Sequence, residues 1–472
     1  MQWVILWTDG LMLLLAATVL LLVLHVSRHA HLRIPWRQVF QRRLAMASAV
    51  LLLAYIVVGL ADSIHLRMAL DQPDAQGETV YGGELLSLLD LALTPLREGV
   101  ETSYSAPLAA WGFNRKAQYD EDGRLRQVYP RLRSGGAHLD HPQQQRGRDL
   151  LLRFAAALLL GLVCWFALGA LVALLALWQA RRVQQPPSLP LRKLLTGGCA
   201  LPWHVALAVF AVLAMLVAVV WLVAPYYHLL GTDKVGQDVF YQAVNSIRTG
   251  LVIGTLTTVV MLPFALWLGI SAGYFRGWID DVIQYIYTTL SSIPGVLLIA
   301  SAVLLLQVFM AGHPALFDSL AARADMRLLF LCLILGVTSW TSLCRLLRGE
   351  TLKLREVEYV QAARAFGVGH GRIILRHILP NVMHIIVITV VLDFSALVLA
   401  EAVLAYIEIG VDPSTYSWGN MINASRLEMA REPVVWWPLV AAFVFMFVLV
   451  LSANLFADAV RDAFDPRTAG RD

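Results

Sequence analysis

Long apolar runs recur along the chain, at about residues 4–26, 44–62, 150–178, 203–224, 247–270, 282–310, 327–345, 381–407 and 436–458. A hydrocarbon core about 30 Å thick is crossed by about 20 helical residues. The pattern therefore predicts an all-α polytopic membrane protein with about nine transmembrane helices. One polar interval is too long to be a simple connection: residues 63–149 interrupt the runs and predict an extramembrane insertion. Within it, Gly83 to Leu96 has the spacing of an amphipathic helix. Pro263 and Pro294 fall inside apolar runs, where they remove backbone donors and predict kinks. Trp436 and Trp437, at the start of the last run, have the placement of an aromatic interface belt.

Composition supports lipid as the solvent. The chain is 58% hydrophobic and only 15% charged, whereas soluble domains carry about a quarter charged residues. Positive charge clusters in the loops after the first run (Arg28, Arg33, Arg37, Arg42, Arg43), near 180–193 (Arg181, Arg182, Arg192, Lys193) and at 345–376, and in the tail (Arg461, Arg467, Arg471). With nine spans these four segments fall on one side, and the excess of Lys and Arg makes that side the cytoplasm. The N-terminus and the 63–149 insertion then lie outside and the C-terminus inside. The first run lacks the preceding positive charges of a secretory leader. A net charge of +4 is too small to imply nucleic acid as a partner. The four cysteines (Cys164, Cys199, Cys332, Cys344) lie in or beside apolar runs with no C-x-x-C spacing, which argues for packing and against a metal or disulfide framework.

The most informative polar stretch runs from Glu356 through Glu358-Tyr359-Val-Gln-Ala362-Ala363-Arg-Ala-Phe-Gly367 to His377-Ile-Leu379-Pro380-Asn381. It predicts a short helix ended by Gly367, a turn at 368–371, and a second helix whose first turn accepts Pro380. The two alanines, the glycine four residues after the second, and the later Leu-Pro resemble the EAA loop of ABC importer permeases. The Arg376-His-Ile-Leu-Pro-Asn381 string resembles that loop in the dipeptide and oligopeptide branch. Two positions depart from the broader pattern: Gln361 stands where Glu is usual, and His377 where Ile is common. Leu230-Gly231-Thr232-Asp233-Lys-Val-Gly236-Gln-Asp238-Val239 is similar to the LGTD element of the same branch, with Gln237 in place of the usual Arg. Ala272-Gly-Tyr-Phe-Arg-Gly-Trp-Ile-Asp280, Trp418-Gly-Asn-Met421 and Arg461-Asp-Ala-Phe-Asp-Pro466 complete five ordered matches over about residues 200–470.

The resemblance implies a six-helix permease core at 201–472, in the inner membrane, with a coupling loop at 356–380. Glu358, Tyr359, Ala362, Ala363, Gly367, Leu379 and Pro380 would dock on an ATP-binding cassette subunit. It further implies one or two such subunits, a second homologous permease, a periplasmic substrate-binding protein, and ATP and Mg held by those partners, with no cofactor of this chain's own. The two helices of 1–62, the insertion 63–149 and the third extra helix with its linker at 150–200 lie outside the resemblance.

No G-x-x-x-x-G-K-[ST] loop is present to cradle phosphates, and no nucleophile–base or metal-ligand set has useful spacing; His138-Leu-Asp-His141 alone is a weak metal candidate. Charges within spans are costly, about 2.5–3.5 kcal/mol at a helix centre. Asp393 and Glu401 share a run, and Arg248 begins another at a depth that suits either a pair with Glu401 or separate snorkelling of each charge to the interface; Asp393 is a candidate for lining the substrate path. An ion-coupled secondary transporter using Asp393 and Glu401 is the alternative, and it leaves the coupling-loop pattern unexplained.

Overall fold

The computed structural model describes residues 2–69, 81–119, 125–182, 201–313 and 319–464. Asp71 to Asp74, Cys199, Arg192, Lys193 and the tail beyond Phe464, including Arg467 and Arg471, lie outside the described residues. The chain forms two compact units: Met1–Trp3, Arg33–Arg248 and Tyr416–Ser452 make the first, and Val4–Leu32, Thr249–Thr415 and Ala453–Asp472 the second.

In the first unit, α3 (Arg43–Asp62) and α6 (Pro142–Arg182) both pack on α7 (Trp203–Val223). Gly161 of α6 lets the two backbones close up, since a Cβ there would sit 2.9 Å from Met215 Cα. Among the described residues, most of the apolar surface of α7 is left uncovered. The described part of the 63–149 insertion combines short strands with short helices. Strand β2 (His65–Arg67) pairs antiparallel with β3 (Leu86–Ser87), and β4 (Lys116–Tyr119) with β5 (Leu125–Val128). The single helix expected over Gly83–Leu96 is instead β3 followed by two short turns, α4 (Leu88–Ala92) and α5 (Thr94–Glu98). Ser87 starts α4 in a reciprocal capping box with Asp90. Pro95 fits only the first turn of a new helix and restarts the chain at α5.

The second unit contains α1 (Trp7–Arg28), which packs on α11 (Leu320–Arg355). There Thr8 N–H donates to Asp325 Oδ2 at 3.2 Å, and the Thr8 hydroxyl bonds the same carboxylate. Helix α8 (Val239–Phe275) continues through Pro263. It meets α11 through Gly269 and Gly273, a small-x-x-x-small pair. A Cβ would lie 2.8 Å from Cys344 O at the first and 2.6 Å from Thr351 Cβ at the second.

The run at 282–310 is not one span. It divides into α9 (Trp278–Ser292) and α10 (Gly295–Gly312) at Ile293-Pro294, because Pro294 has no N–H to continue the helix. Beyond α11 come α12 (Glu358–Ala365), α13 (His370–Ile373), a π-helical turn at Ile374–Ile378 and α14 (Leu379–Tyr406). Eight of the described helical segments are long and apolar enough to cross a bilayer. The ninth expected run, 327–345, lies within α11, a continuous helix of 36 residues. The last two helices are α15 (Trp418–Ser425) and α16 (Trp437–Phe464).

Candidate functional site

The loop after α11 is built to present one small helix. α12 packs inward through Val360, 2% exposed, and through Ala363, over a core formed by Tyr274, Leu343, Leu347, Ile373 and Ile378. Its outer face carries Glu358, Tyr359, Gln361, Ala362 and Arg364, all exposed. Gly367 ends it at φ +74°. Val368 N–H donates to Ala363 O and Gly367 N–H to Arg364 O, both at 3.1 Å. This is the Schellman pair of bonds, and it needs the left-handed residue that glycine supplies without strain. Phe366, just before the stop, is 87% exposed. Pro380 stands in the first turn of α14, and its missing N–H accompanies the π-turn before it. Asn381 Nδ2 donates to His377 O at 2.6 Å and to Tyr359 Oη at 2.9 Å, joining α14 to α12.

The corner between α8 and α9 is fastened to this loop. Arg276 and Gly277, both at positive φ, reverse the chain there. Arg276 donates to Glu356 Oε1 at 3.0 Å, Arg355 to Tyr274 O at 2.8 Å, and Tyr274 Oη lies 2.8 Å from His370 Nδ1. Asp280 takes a two-pronged pair from Arg348, at 2.5 and 2.8 Å. That guanidinium holds the Asp280 carboxyl below the usual carboxylate range against the opposing effect of burial.

A second constellation lies at residues 228–242. Asp233 accepts from the N–H groups of Val235 and Gln237, at 3.0 and 2.9 Å, and from Gln242 Nε2 at 2.7 Å, which folds the loop on itself. Asp238 caps α8 by accepting from Tyr241 N–H at 3.0 Å.

The insertion sits directly on this loop. Glu101 N–H donates to Gly236 O and Leu108 N–H to His228 O, each at 2.8 Å, and Thr232 N–H donates to Ser105 O at 3.1 Å. Thr232 Oγ1 also accepts from Ser105 N–H at 2.7 Å and donates to Ser103 O at 2.9 Å. The two motif glycines make the seat possible. Both have positive φ, and a Cβ would fall 2.3 Å from Ser105 O at Gly231 and 1.9 Å from Glu101 O at Gly236.

Between the two layers His228 is buried, bonded through Nδ1 to Asp238 Oδ2 at 2.8 Å and with Nε2 3.6 Å from Glu101 Oε1. The second contact is an ion pair rather than a hydrogen bond. Burial pulls the His228 pKa down, but the two carboxylates outweigh it and push it up to about 9. Burial raises the Glu101 carboxyl, and contacts from His228 and Ser134 N–H more than offset that, leaving it below its ordinary value.

The family described as "Binding-protein-dependent transport system inner membrane component" matches residues 265–470. The oligopeptide transport system permease protein OppC of Mycobacterium tuberculosis (strain ATCC 25618 / H37Rv) is 32% identical over 239 residues, covering 51% of this chain and 76% of that protein. The chain belongs to this family of permeases. The dipeptide transport system permease DppC of Alkalihalophilus pseudofirmus is 34% identical over 240 residues, covering 51% of this chain and 72% of that one. The glutathione transport system permease GsiD of Pectobacterium atrosepticum is 31% identical over 241 residues, 51% of this chain and 73% of that one. Among solved structures, the methionine ABC transporter MetNI matches 47% of this chain and 96% of its own at 15% identity, with a TM-score of 0.35, too slight a likeness to carry an argument.

The permease is thus a multi-pass inner-membrane subunit of an ABC importer, and the ion-coupled alternative loses its ground. Of the charges expected inside the permease's membrane helices, Glu401 is buried and Asp393 half-buried on α14. Arg248 is half-buried on α8 and interacts electrostatically with buried Asp62. Trp437 corrects the interface-belt reading: it is 3% exposed and donates Nε1–H to Thr232 O at 2.9 Å. Trp436, about half exposed, keeps the placement of a belt residue. His138 lies 3.1 Å from Asp149 and edge-on to Tyr226. Residue-by-residue reading missed Phe366, Asp280, Arg348, Glu101 and His228. Phe366 and Asp280 stood inside quoted motifs; Glu101 and His228 carried no local signal.

Proposed function

We propose that the permease forms half of the translocation path of an ATP-driven peptide importer. Its partners are a second homologous permease, one or two ATP-binding cassette subunits that hold ATP and Mg, and a periplasmic substrate-binding protein. The 356–380 loop docks on a cassette subunit through Glu358, Tyr359, Ala362, Ala363 and Gly367, with Leu379 and Pro380 fixing the return into the bundle. ATP binding draws the cassettes together, displaces α12, and turns the cavity from one side of the membrane to the other. The N-terminus is periplasmic and the C-terminus cytoplasmic, so the LGTD loop and the insertion face the periplasm, where the insertion braces the mouth of the path. Glu401 pairs with Arg248 inside the bundle, and Asp393 lines the path. Residues 1–62 serve as a helical extension, 63–149 as the brace, 150–200 as a third extra transmembrane helix with a cytoplasmic linker, and 201–472 as the permease core.

The observation that carries this reading is the exposed face of α12, raised on a buried Val360 and ended at Gly367 by two backbone bonds. The specificity for peptides rests on the named relatives, which are peptide permeases. The test is gentle purification of the tagged chain from its own membrane, followed by ATP hydrolysis with and without vanadate. Co-purified cassette subunits with vanadate-sensitive turnover, diminished by Glu358→Ala and Gly367→Val, are expected. A lone chain without ATPase activity would remove the reading.

A further inference from the structure

The α8–α9 corner is held from both sides of the coupling helix. Before α12, Arg348 grips Asp280, Arg355 grips the Tyr274 carbonyl and Glu356 grips Arg276; after it, His370 meets the Tyr274 hydroxyl. These contacts differ in stiffness. Arg276 and Glu356 are about half exposed, and a solvated pair of that kind yields easily. Asp280 is 8% exposed, and its two parallel bonds to Arg348 fix orientation as well as distance. Gly273 presses α8 against the same turn of α11, with a would-be Cβ 2.7 Å from Arg348 O. Neither helix can slide there without the other. A displacement of α12 therefore reaches α9 through a stiff, part-buried joint beside the apolar packing of Ile283 and Tyr287 on α11.

We propose that Asp280 and Arg348 are positioning residues that transmit movement of the coupling loop into α9, so that ATP-driven closure of the partner subunits is converted into rearrangement of the membrane helices. This rests on the importer reading, and it adds a residue pair that lies outside the exposed face of α12.

The test uses the complete transporter in nanodiscs, in a background with the four native cysteines replaced and a spin label at Tyr285→Cys, an exposed position on α9. The probe is ATP with vanadate. In the otherwise unaltered complex the spectrum changes on trapping. In Asp280→Asn and Arg348→Gln the cassettes still trap nucleotide, but the α9 change is lost. Arg348→Lys, which keeps the charge and gives up the two-pronged geometry, is intermediate. In proteoliposomes loaded with a defined pool of di- to hexapeptides, ATP hydrolysed per peptide moved rises at least about fivefold in Asp280→Asn, the lower end of ordinary coupling. A purely structural pair would lower hydrolysis and transport together and leave that ratio unchanged.

If Asp280→Asn fails to assemble, Arg348→Lys decides: an unaltered spectrum and ratio in an assembled complex overturns the proposal. If the unaltered complex traps no nucleotide at all, the importer reading falls and the proposal goes with it.

Discussion

Replacing Gly236 by Ala tests whether the insertion is truly seated on the LGTD loop, and Gly367 supplies the control. Both glycines are left-handed, at φ +82° and +74°, so an alanine at either position costs about 1–2 kcal/mol of backbone strain. Their surroundings differ. Around Gly367 a Cβ meets nothing within 4 Å, whereas at Gly236 it falls 1.9 Å from the Glu101 carbonyl oxygen and 2.4 Å from its carbon. Glu101 must then retreat, losing the 2.8 Å bond from its N–H to Gly236 O, worth about 1 kcal/mol net. The retreat also draws the carboxylate from buried His228, and separating a buried pair adds a kilocalorie or more. The excess over Gly367→Ala is at least about 2 kcal/mol, or about 30-fold in the population of the unseated state. Hydrogen–deuterium exchange of the amides of Glu101, Leu108 and Thr232, in purified protein in nanodiscs, reads that population directly. Those amides should exchange about 30-fold faster in Gly236→Ala and at the unaltered rate in Gly367→Ala. Equal protection in the two variants would refute the seat.

The same amides should report pH. The raised pKa of His228 makes its contribution complete below its ordinary 6.5 and lost as pH rises through about 9. The lowered pKa of Glu101 makes its contribution complete above its ordinary 4.5 and lost as pH falls through the lower folded value. Protection of 99–112, corrected for intrinsic exchange, should be greatest between those values and fall toward pH 9, and His228→Gln should flatten the alkaline fall. Gly273→Val forces α8 away from Thr351 and Arg348, costing about 1–3 kcal/mol by overpacking. A lowered thermal midpoint in detergent is expected, and an unchanged one would contradict the close approach. Phe366→Asp, at a side chain 87% exposed, should change stability by no more than about 0.5 kcal/mol, leaving that midpoint nearly unmoved, while reducing co-purification of cassette subunits; undiminished co-purification would exclude Phe366 from the docking surface.

Helical content and the short helix that ends at Gly367 were legible because both are local properties. A bilayer-length apolar run needs no knowledge of its neighbours, and Gly367 announces a helix end whatever packs beside it. The elements that departed from expectation turn on a residue whose effect depends on context. Pro263 stays inside a continuous α8 while Pro294 divides α9 from α10, although both stand in apolar runs. Trp437 looked like its neighbour Trp436, yet one is buried against Thr232 and the other is half exposed.

The insertion shows the limit most clearly. Read as local sequence, Gly231-Thr232-Asp233 is a plain turn with a cap; Asp233 does fold the loop on itself, while the cap of α8 is Asp238. What the turn also does is receive a segment more than a hundred residues earlier in the chain, through two glycines with no room for a side chain and a histidine held between two carboxylates. A histidine in an outward-facing loop reads by itself as a solvated residue with an ordinary pKa. Its charge at neutral pH comes from Asp238 in the same loop and from Glu101 in the insertion, and no periodicity or motif connects the histidine to Glu101. The seat uses the motif's own residues, Gly231, Thr232, Gly236 and Asp238. The insertion is therefore attached through the LGTD-like residues themselves, and the same loop that caps α8 at its first turn holds it in place.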